Sequence, residues 1–376
     1  MRVLTVLHWL NLGGIELQTL HALPWLRRQG IEMDFCCTGP PAILDREFTA
    51  LGCRIWRIPK TANCYAAAQH LGRLLARVPC ALVHSHFGYT SGGFVLGAAG
   101  MRVPAVVSVH SSEPLSLYRW RGRPVLGRLR ARWLAWHRRL IEHNATAVVG
   151  HSRVNLNAFE PGWTHDPKKY RVIPNGIDFP AGRWTRTAAR ASLSIGRVPV
   201  VLHVGALKEE KNHCGLLEIF RQVRKRMPGA RLLLVGDGPL RRQVQRDLDR
   251  MRLTRDVRCE GSQRDVWCYY AAADAFLFPS ITEGFGNALV ESQSAGLPIV
   301  ASDLAAHHES VAPSQQRFLF TLPHYAAAAD LVVEQIEAAR AGRNPWVAQS
   351  QSFVRDRFST ERYARRLTRL YQELAP

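Results

Sequence analysis

Acid is what this sequence has least of for its size: 30 Asp and Glu stand against 50 Lys and Arg, a formal excess of 20 positive charges over 376 residues. Lysine is scarce as well. Six lysines, at 60, 168, 169, 208, 211 and 225, leave 44 of the basic positions to arginine. Residues 1–180 hold 22 Lys and Arg against 10 Asp and Glu, so the first half carries the larger share of the imbalance. A chain of this balance is drawn to anionic partners such as lipid phosphates or nucleic acid. Long apolar runs are missing too, since nowhere do 18 uninterrupted apolar residues occur, and a membrane-spanning helix is not expected. Met1 to Leu10 runs straight into a Gly-Gly pair without the long apolar region and small-residue cleavage site of a signal peptide, and reads as a first strand. The eight cysteines, at 36, 37, 53, 64, 80, 214, 259 and 268, show neither CxxC spacing nor a secreted-domain framework. They are expected to be buried reduced thiols of a cytosolic protein. No internal repeat or low-complexity tract stands out.

What is present is alternation. An apolar content of 47% over this length supplies a core to each of two domains. Apolar strand-like runs near 2–7, 31–37, 53–58, 80–84, 104–109 and 145–149 are separated by helical stretches such as 16–28 and 66–77. A second series follows at 198–204, 231–235, 257–260, 275–278 and 298–301. Strands that alternate with helices make parallel sheets covered on both faces. The reading is an α/β chain of two doubly wound, Rossmann-like domains, 1–180 and 181–355, with a last helical segment at 356–376. Phe179 to Thr187, with Pro180 and Gly182 and no clear period, is the linker candidate. A ligand is expected between the domains, outside the carboxyl ends of the strands.

The chemistry concentrates in the stretch from Pro279 to Glu291. An apolar strand, 275–278, leads into a loop with Gly284 and Gly286 and then into a helical pattern from Ala288. The amides of such a helix start attract an anion, phosphate above all. Glu283 lies in the loop and Glu291 lies in the helix, eight residues on and too far for an i,i+4 pair, so the two carboxylates are expected to do different work.

This Glu-x7-Glu pattern in a strand-loop-helix setting resembles glycosyltransferase family 4, the retaining, nucleotide-sugar-dependent enzymes of the GT-B fold. Other segments are similar to that family in the same order: Asn11-Leu12-Gly13-Gly14, Val172 to Asp178, Gly205 to Asn212, Leu234 to Pro239, and Ala301-Ser302-Asp303. The resemblance implies two domains facing across a cleft, with the terminal helix crossing back to the first. It further implies a hexose donor such as a UDP- or GDP-sugar, with Glu283 facing the sugar, Gly284, Phe285, Gly286 and Asn287 lining the donor loop, and Glu291 accepting from the ribose hydroxyls, for which two carboxylate oxygens suit a vicinal diol. Lys211, after Gly205, would hold the diphosphate, and Gly13 and Gly14 would let the first-domain backbone approach it. His110, at a strand end, matches a position that lines the sugar pocket and is assigned positioning and charge stabilisation. His84 and His86, at another strand end, are expected acceptor contacts or satisfied structural histidines.

The pattern is broken at Ala206, where most relatives carry an arginine that shares the diphosphate with the lysine. Either Lys211 and the helix termini suffice, or Lys208 substitutes. Asp247-Leu248-Asp249 has the form of a metal-binding DxD, but Arg246 and Arg250 beside it mark a solvated helix face. The expected clamp therefore needs no metal or other cofactor, and His307 and His308 lack a third ligand at suitable spacing.

Between Pro114 and Ile141 there is no acid, but eight arginines and three tryptophans. Leu126, Leu129, Trp133, Trp136 and Leu140 recur at helical spacing. Such a helix either lies on an anionic membrane surface or packs its stripe on the first-domain sheet. Arg119, Trp120, Arg121 and Arg123, in and beside the preceding loop, are the favoured membrane contacts. The expected partners are a nucleotide-sugar donor, a lipid-linked saccharide acceptor of bacterial exopolysaccharide or lipopolysaccharide O-antigen synthesis, and the inner face of the plasma membrane, with no nucleic acid. A soluble saccharide acceptor, a GT-B epimerase acting on the nucleotide sugar and a nucleic-acid-binding basic protein are the alternatives.

Overall fold

A computed structural model of the chain describes residues 1–112, 122–179 and 182–375. They form two compact units, Met1–Gly176 with Thr360–Pro376, and Ile177–Ser359.

The first unit is built on seven parallel strands: β1 (Arg2–Leu7), β2 (Glu32–Cys37), β3 (Ile55–Arg57), β4 (Leu82–Ser85), β5 (Ala105–Val109), β6 (Ala147–Gly150) and β7 (Tyr170–Val172). Their order across the sheet is β3-β2-β1-β4-β5-β6-β7. Helices cover both faces, so successive residues of one strand bury in opposite cores. Val3, Phe35, Leu82 and Val106 point to the side covered by helices Gly14–Arg28 and Thr360–Leu374. Leu4, Cys36, Val83 and Val107 point to the other, with Leu71, Val95 and Ile141. The C-terminal helix enters this core through Tyr363, Leu367, Leu370 and Tyr371.

The second unit repeats the plan with β8 (Val200–Val204), β9 (Arg231–Val235), β10 (Val257–Gly261), β11 (Ala275–Phe278), β12 (Ile299–Ser302) and β13 (Leu319–Phe320), in the order β10-β9-β8-β11-β12-β13. In each sheet the chain starts in the middle, winds outward on one side and then returns to fill the other. The reversals fall between β1 and β4 and between β8 and β11. Where winding reverses, the loops at the carboxyl ends of the two strands part and leave a crevice.

Two expectations are corrected. The segment 179–187 is not a free linker, because its described part is bound into the second unit. Trp184 Nε1 donates to Asp265 at 2.8 Å, while Arg186 and Arg190 ion-pair with the fully buried Asp274. The chain passes between units at Gly176/Ile177 and Ser359/Thr360 instead. The helix Pro124–Asn144 forms, but it buries Leu134, His137 and Ile141 rather than the stripe read from the sequence. Leu126 and Leu129 of that stripe stay 44% and 60% exposed, and Trp136 and Val125 are exposed beside them. Among the described residues no helix is long and apolar enough to cross a membrane.

Candidate functional site

In the second unit the crevice between β8 and β11 is laced shut at its base by the two loops that form it. Asn212 adopts φ 52°, caps helix His213–Arg226 by accepting from Gly215 N–H at 3.1 Å, and donates to Pro279 O at 3.0 Å. The Ile281 amide donates to Glu210 O at 2.8 Å. These ties bring Lys211, from the loop after β8, against Glu283, from the loop after β11. The Lys211 ammonium donates to Glu283 Oε1, and Ser280 Oγ donates to the same oxygen at 2.8 Å. The ammonium also stands 4.8 Å from the centre of the Phe278 ring. The lysine stem runs past Gly205, where a β-carbon would stand in ordinary contact, 3.6 Å, with Lys211 Cδ and Cε. With the two side chains only 17% and 10% exposed, the pair sits where losing one partner costs about 3–5 kcal/mol.

The loop continues to Gly286, whose φ of 86° suits glycine, and Asn287 opens helix Asn287–Ser294. Phe285 turns inward, buried, with its ring 5.1 Å from that of Phe358. Glu291 lies more than one turn into the helix. Tyr270 donates its hydroxyl to Glu291 Oε2 at 2.8 Å, leaving Oε1 without a partner among the described residues. Burial raises the Glu291 carboxyl above the ordinary range, and the Tyr270 hydrogen bond works against that rise.

His307 completes this neighbourhood. It is fully buried, its Nδ1 donates to Ser302 O at 2.6 Å, and its Nε2 is therefore an acceptor with no partner among the described residues. Burial lowers its pKa to about 4, partly opposed by the charge of Glu283. A β-carbon on Gly286 would stand 3.7 Å from that Nε2. The Asp247/Asp249 pair is elsewhere, on helix Arg241–Met251, where Arg250 and Gln243 hold Asp247, and Gln245 and Thr254 hold Asp249.

In the first unit, Gly13 precedes and Gly14 begins the helix Gly14–Arg28, at the carboxyl end of β1. Across the neighbouring strands runs a row of imidazoles, one from the end of each of β4, β5 and β6. His86 Nδ1 and His110 Nε2 share a hydrogen bond at 3.1 Å, and His110 stacks on His151 with centroids 4.5 Å apart. Burial, with the adjoining imidazoles, holds His86 and His110 well below the ordinary histidine range. His84 is not an acceptor contact. It has no exposed surface, and its two nitrogens are taken by Tyr371 Oη at 2.6 Å and Ser108 Oγ at 2.9 Å, so it fastens the C-terminal helix to the sheet. Arg123 is exposed at the start of helix Pro124–Asn144, while Arg119, Trp120 and Arg121 lie outside the described residues.

Reading the sequence passed over Ser280, Tyr270 and His151, and left His307 without a role. Ser280 and His307 carry no signal beyond their places beside strand ends. Tyr270 belongs to an aromatic run, Trp267 to Tyr270, that is indistinguishable from core. His151 had a signal: His86, His110 and His151 each follow closely on the end of a strand.

Two doubly wound parallel sheets, one with a Lys–Glu pair and a glycine-bounded helix at its switch point, define the GT-B class of sugar-transferring enzymes. The family described as Glycosyltransferase Family 4 matches residues 12–179, and that described as Glycosyl transferases group 1 matches residues 198–337. Together they take in most of the chain, which belongs to the family 4, group 1 glycosyltransferases. The putative glycosyltransferase EpsF of Bacillus subtilis is 28% identical over 312 residues, 80% of this chain and 79% of that protein. The N-acetylgalactosamine-N,N'-diacetylbacillosaminyl-diphospho-undecaprenol 4-alpha-N-acetylgalactosaminyltransferase of Campylobacter jejuni is 26% identical over 165 residues, covering 44% and 43% of the two chains. The fold matches the crystal structure of Anabaena HepE in complex with UDP-glucose over the full length of both chains, with a TM-score of 0.83 at 19% identity.

Proposed function

We propose that this glycosyltransferase moves a hexose, with retention of anomeric configuration, from a UDP- or GDP-sugar to a lipid-linked saccharide acceptor of bacterial exopolysaccharide or O-antigen assembly, working at the inner face of the plasma membrane. The observation that carries the reading is the Lys211–Glu283 pair at the β8/β11 switch point. A nucleoside diphosphate needs a cation for the charge that builds on the leaving oxygen, and a buried ammonium is worth more there than in water. In the free enzyme Glu283 neutralises Lys211. An arriving diphosphate competes for the ammonium, and Glu283 is then released to accept from hydroxyls of the donor sugar. The amides at the start of helix Asn287–Ser294 add a second, fixed source of positive potential. Lys211 and these amides make up for the missing arginine at Ala206, since Lys208 is exposed and forms no part of the pair. The clamp needs no metal ion. Glu291 offers Oε1 to a ribose hydroxyl while Tyr270 steadies Oε2.

In the first unit, the His86–His110 pair carries one N–H between its two facing nitrogens, so a proton or hydroxyl donor on one side is answered by a tautomer shift on the other. Neutral imidazoles of this kind orient an acceptor hydroxyl without placing a charge near it. Membrane contact is supported by the exposed Val125, Leu126, Leu129 and Trp136, interleaved with Arg123, Arg128, Arg132 and Arg139 on the same helix. The relative from Campylobacter jejuni, named for a diphospho-undecaprenol substrate, agrees in acceptor class.

A thermal-shift and transfer screen of UDP-, GDP- and ADP-sugars tests the reading, because a ligand that binds the native state raises its melting temperature. One nucleotide sugar is expected to stabilise the protein and, with a prenyl-diphosphate-linked sugar present, to lose its hexose to it. Stabilisation by none of them would defeat the proposal.

A further inference from the structure

A cavity of about 300 Å³ opens in the first unit on the carboxyl-end side of β2, β3 and β4. Thr38 follows β2, Lys60 and Asn63 follow β3, Phe87 follows β4, and Arg130, Trp133 and His137 descend from helix Pro124–Asn144. Its size reaches the lower end of ligand-binding clefts. No acidic side chain lines it, and among the described residues neither Lys60 nor Arg130 pairs with a carboxylate. The Arg130 guanidinium lies 4.0 Å over the Trp133 ring, which fixes its plane and leaves its edge donors for a planar or tetrahedral oxyanion. Below it, Cys64 Sγ and His137 Nε2 meet at 3.0 Å in a buried neutral pair, each shifted toward its uncharged form by burial. The floor is thus uncharged, and the two cations at the rim are not cancelled.

At about 100° per residue, Leu126 falls in one row with Arg130, Trp133 and His137, and Leu129 and Trp136 form the row beside it. One side of the row faces the cavity and the other is the exposed apolar strip, which Tyr65, with its ring 5.9 Å from Trp136, extends. At the far end of the cavity Lys60 Nζ is 3.5 Å from His8 Nε2, and Phe87 is the chain neighbour of His86.

We propose that this cavity is a binding site for the diphosphate of an amphiphilic acceptor, with Lys60 and Arg130 holding the phosphates. The hydrocarbon tail leaves along Leu126 and Leu129, and the saccharide runs past Phe87 to the His86–His110 pair. The assignment rests on the acceptor being lipid-linked, as argued above, and adds where its charged group is held.

Titration of the full chain with farnesyl diphosphate, and separately with inorganic pyrophosphate, tests it. The wild type is expected to bind farnesyl diphosphate at least tenfold more tightly than pyrophosphate. Lys60→Gln alone, at an exposed position, is expected to weaken binding several-fold, and Lys60→Gln with Arg130→Gln at least thirtyfold, with melting temperatures unchanged. Equal affinity in wild type and both variants would overturn the cavity assignment while leaving a lipid-linked acceptor in place. Failure of the wild type to bind farnesyl diphosphate at all would overturn the lipid-linked reading together with the site. Equal affinity for the two probes would mark a site for a soluble anion and overturn the amphiphile.

Discussion

The two sheets share a plan but end in different chemistry. At its carboxyl edge the first presents imidazoles kept neutral by burial and by one another, and the second presents an ammonium locked to a carboxylate. Each suits a different half of a transfer reaction. A fixed positive charge stabilises a leaving diphosphate throughout, whereas neutral groups that can shift a proton suit the hydroxyl of an acceptor, which a nearby fixed charge would perturb. The same backbone crevice is thus specialised by a few residues in the loops at strand ends.

The sharpest way to break this contrast is at Lys211. Lys211→Ala is expected to lower kcat by about 100- to 1000-fold, the scale on which one donor to a developing oxyanion acts. His86→Asn or His110→Asn should cost roughly tenfold or less, the scale of one neutral orienting hydrogen bond, because no charge is removed. A larger effect at the histidines than at Lys211 would invert the comparison. Next comes nucleotide affinity. Glu291→Gln is expected to weaken nucleoside diphosphate binding by about 10- to 100-fold, the range for a hydrogen bond to a charged acceptor. Tyr270→Phe, which only releases Oε2, should weaken it a few-fold, and titration calorimetry separates the two.

The neutral imidazoles make a prediction for acid. His84 is held down to about 3 and His151 to about 4 from 6.5, chiefly by burial. Between those values and 6.5 the unfolded chain binds more protons than the folded one. Each site therefore costs about 1.4 kcal/mol of stability per pH unit as the pH falls through that window. Urea midpoints are expected to drop between pH 7 and pH 5, and His151→Asn should flatten the slope; an unchanged slope would mean His151 titrates normally. The smallest effect on the two strand-end sites comes from the surface. Reversing Arg123, Arg128 and Arg132 to Glu should abolish sedimentation with anionic liposomes at low salt and leave nucleotide binding alone. Equal pelleting with neutral lipid would rule out the electrostatic part of membrane contact.

Much of the fold was legible because parallel strands buried on both faces are continuous apolar runs, as at Val200–Val204 and Ala275–Phe278. β7 and β13 escaped because three and two residues make no run. The segment 179–187 looked like a linker because its hold on the second unit is polar and distant in sequence, through Trp184 to Asp265 and Arg186 to Asp274. The helix Pro124–Asn144 was found, but its packed face was not: two apolar stripes compete there, and only tertiary packing chose Leu134 and Ile141 over Leu126 and Leu129. Lys211, Glu283 and Glu291 were readable as a pattern. Their partners Ser280 and Tyr270 were not, since a serine or tyrosine becomes informative only when an acceptor is brought within 3 Å.

The most direct measurement of the central claim is calorimetric titration of UDP and GDP into wild type and Lys211→Ala in buffer containing EDTA. The account predicts that one nucleotide binds the wild type as well with EDTA as without, and that the variant loses at least thirtyfold. Binding abolished by EDTA, or unchanged in Lys211→Ala, would contradict a donor clamp built from the chain's own lysine.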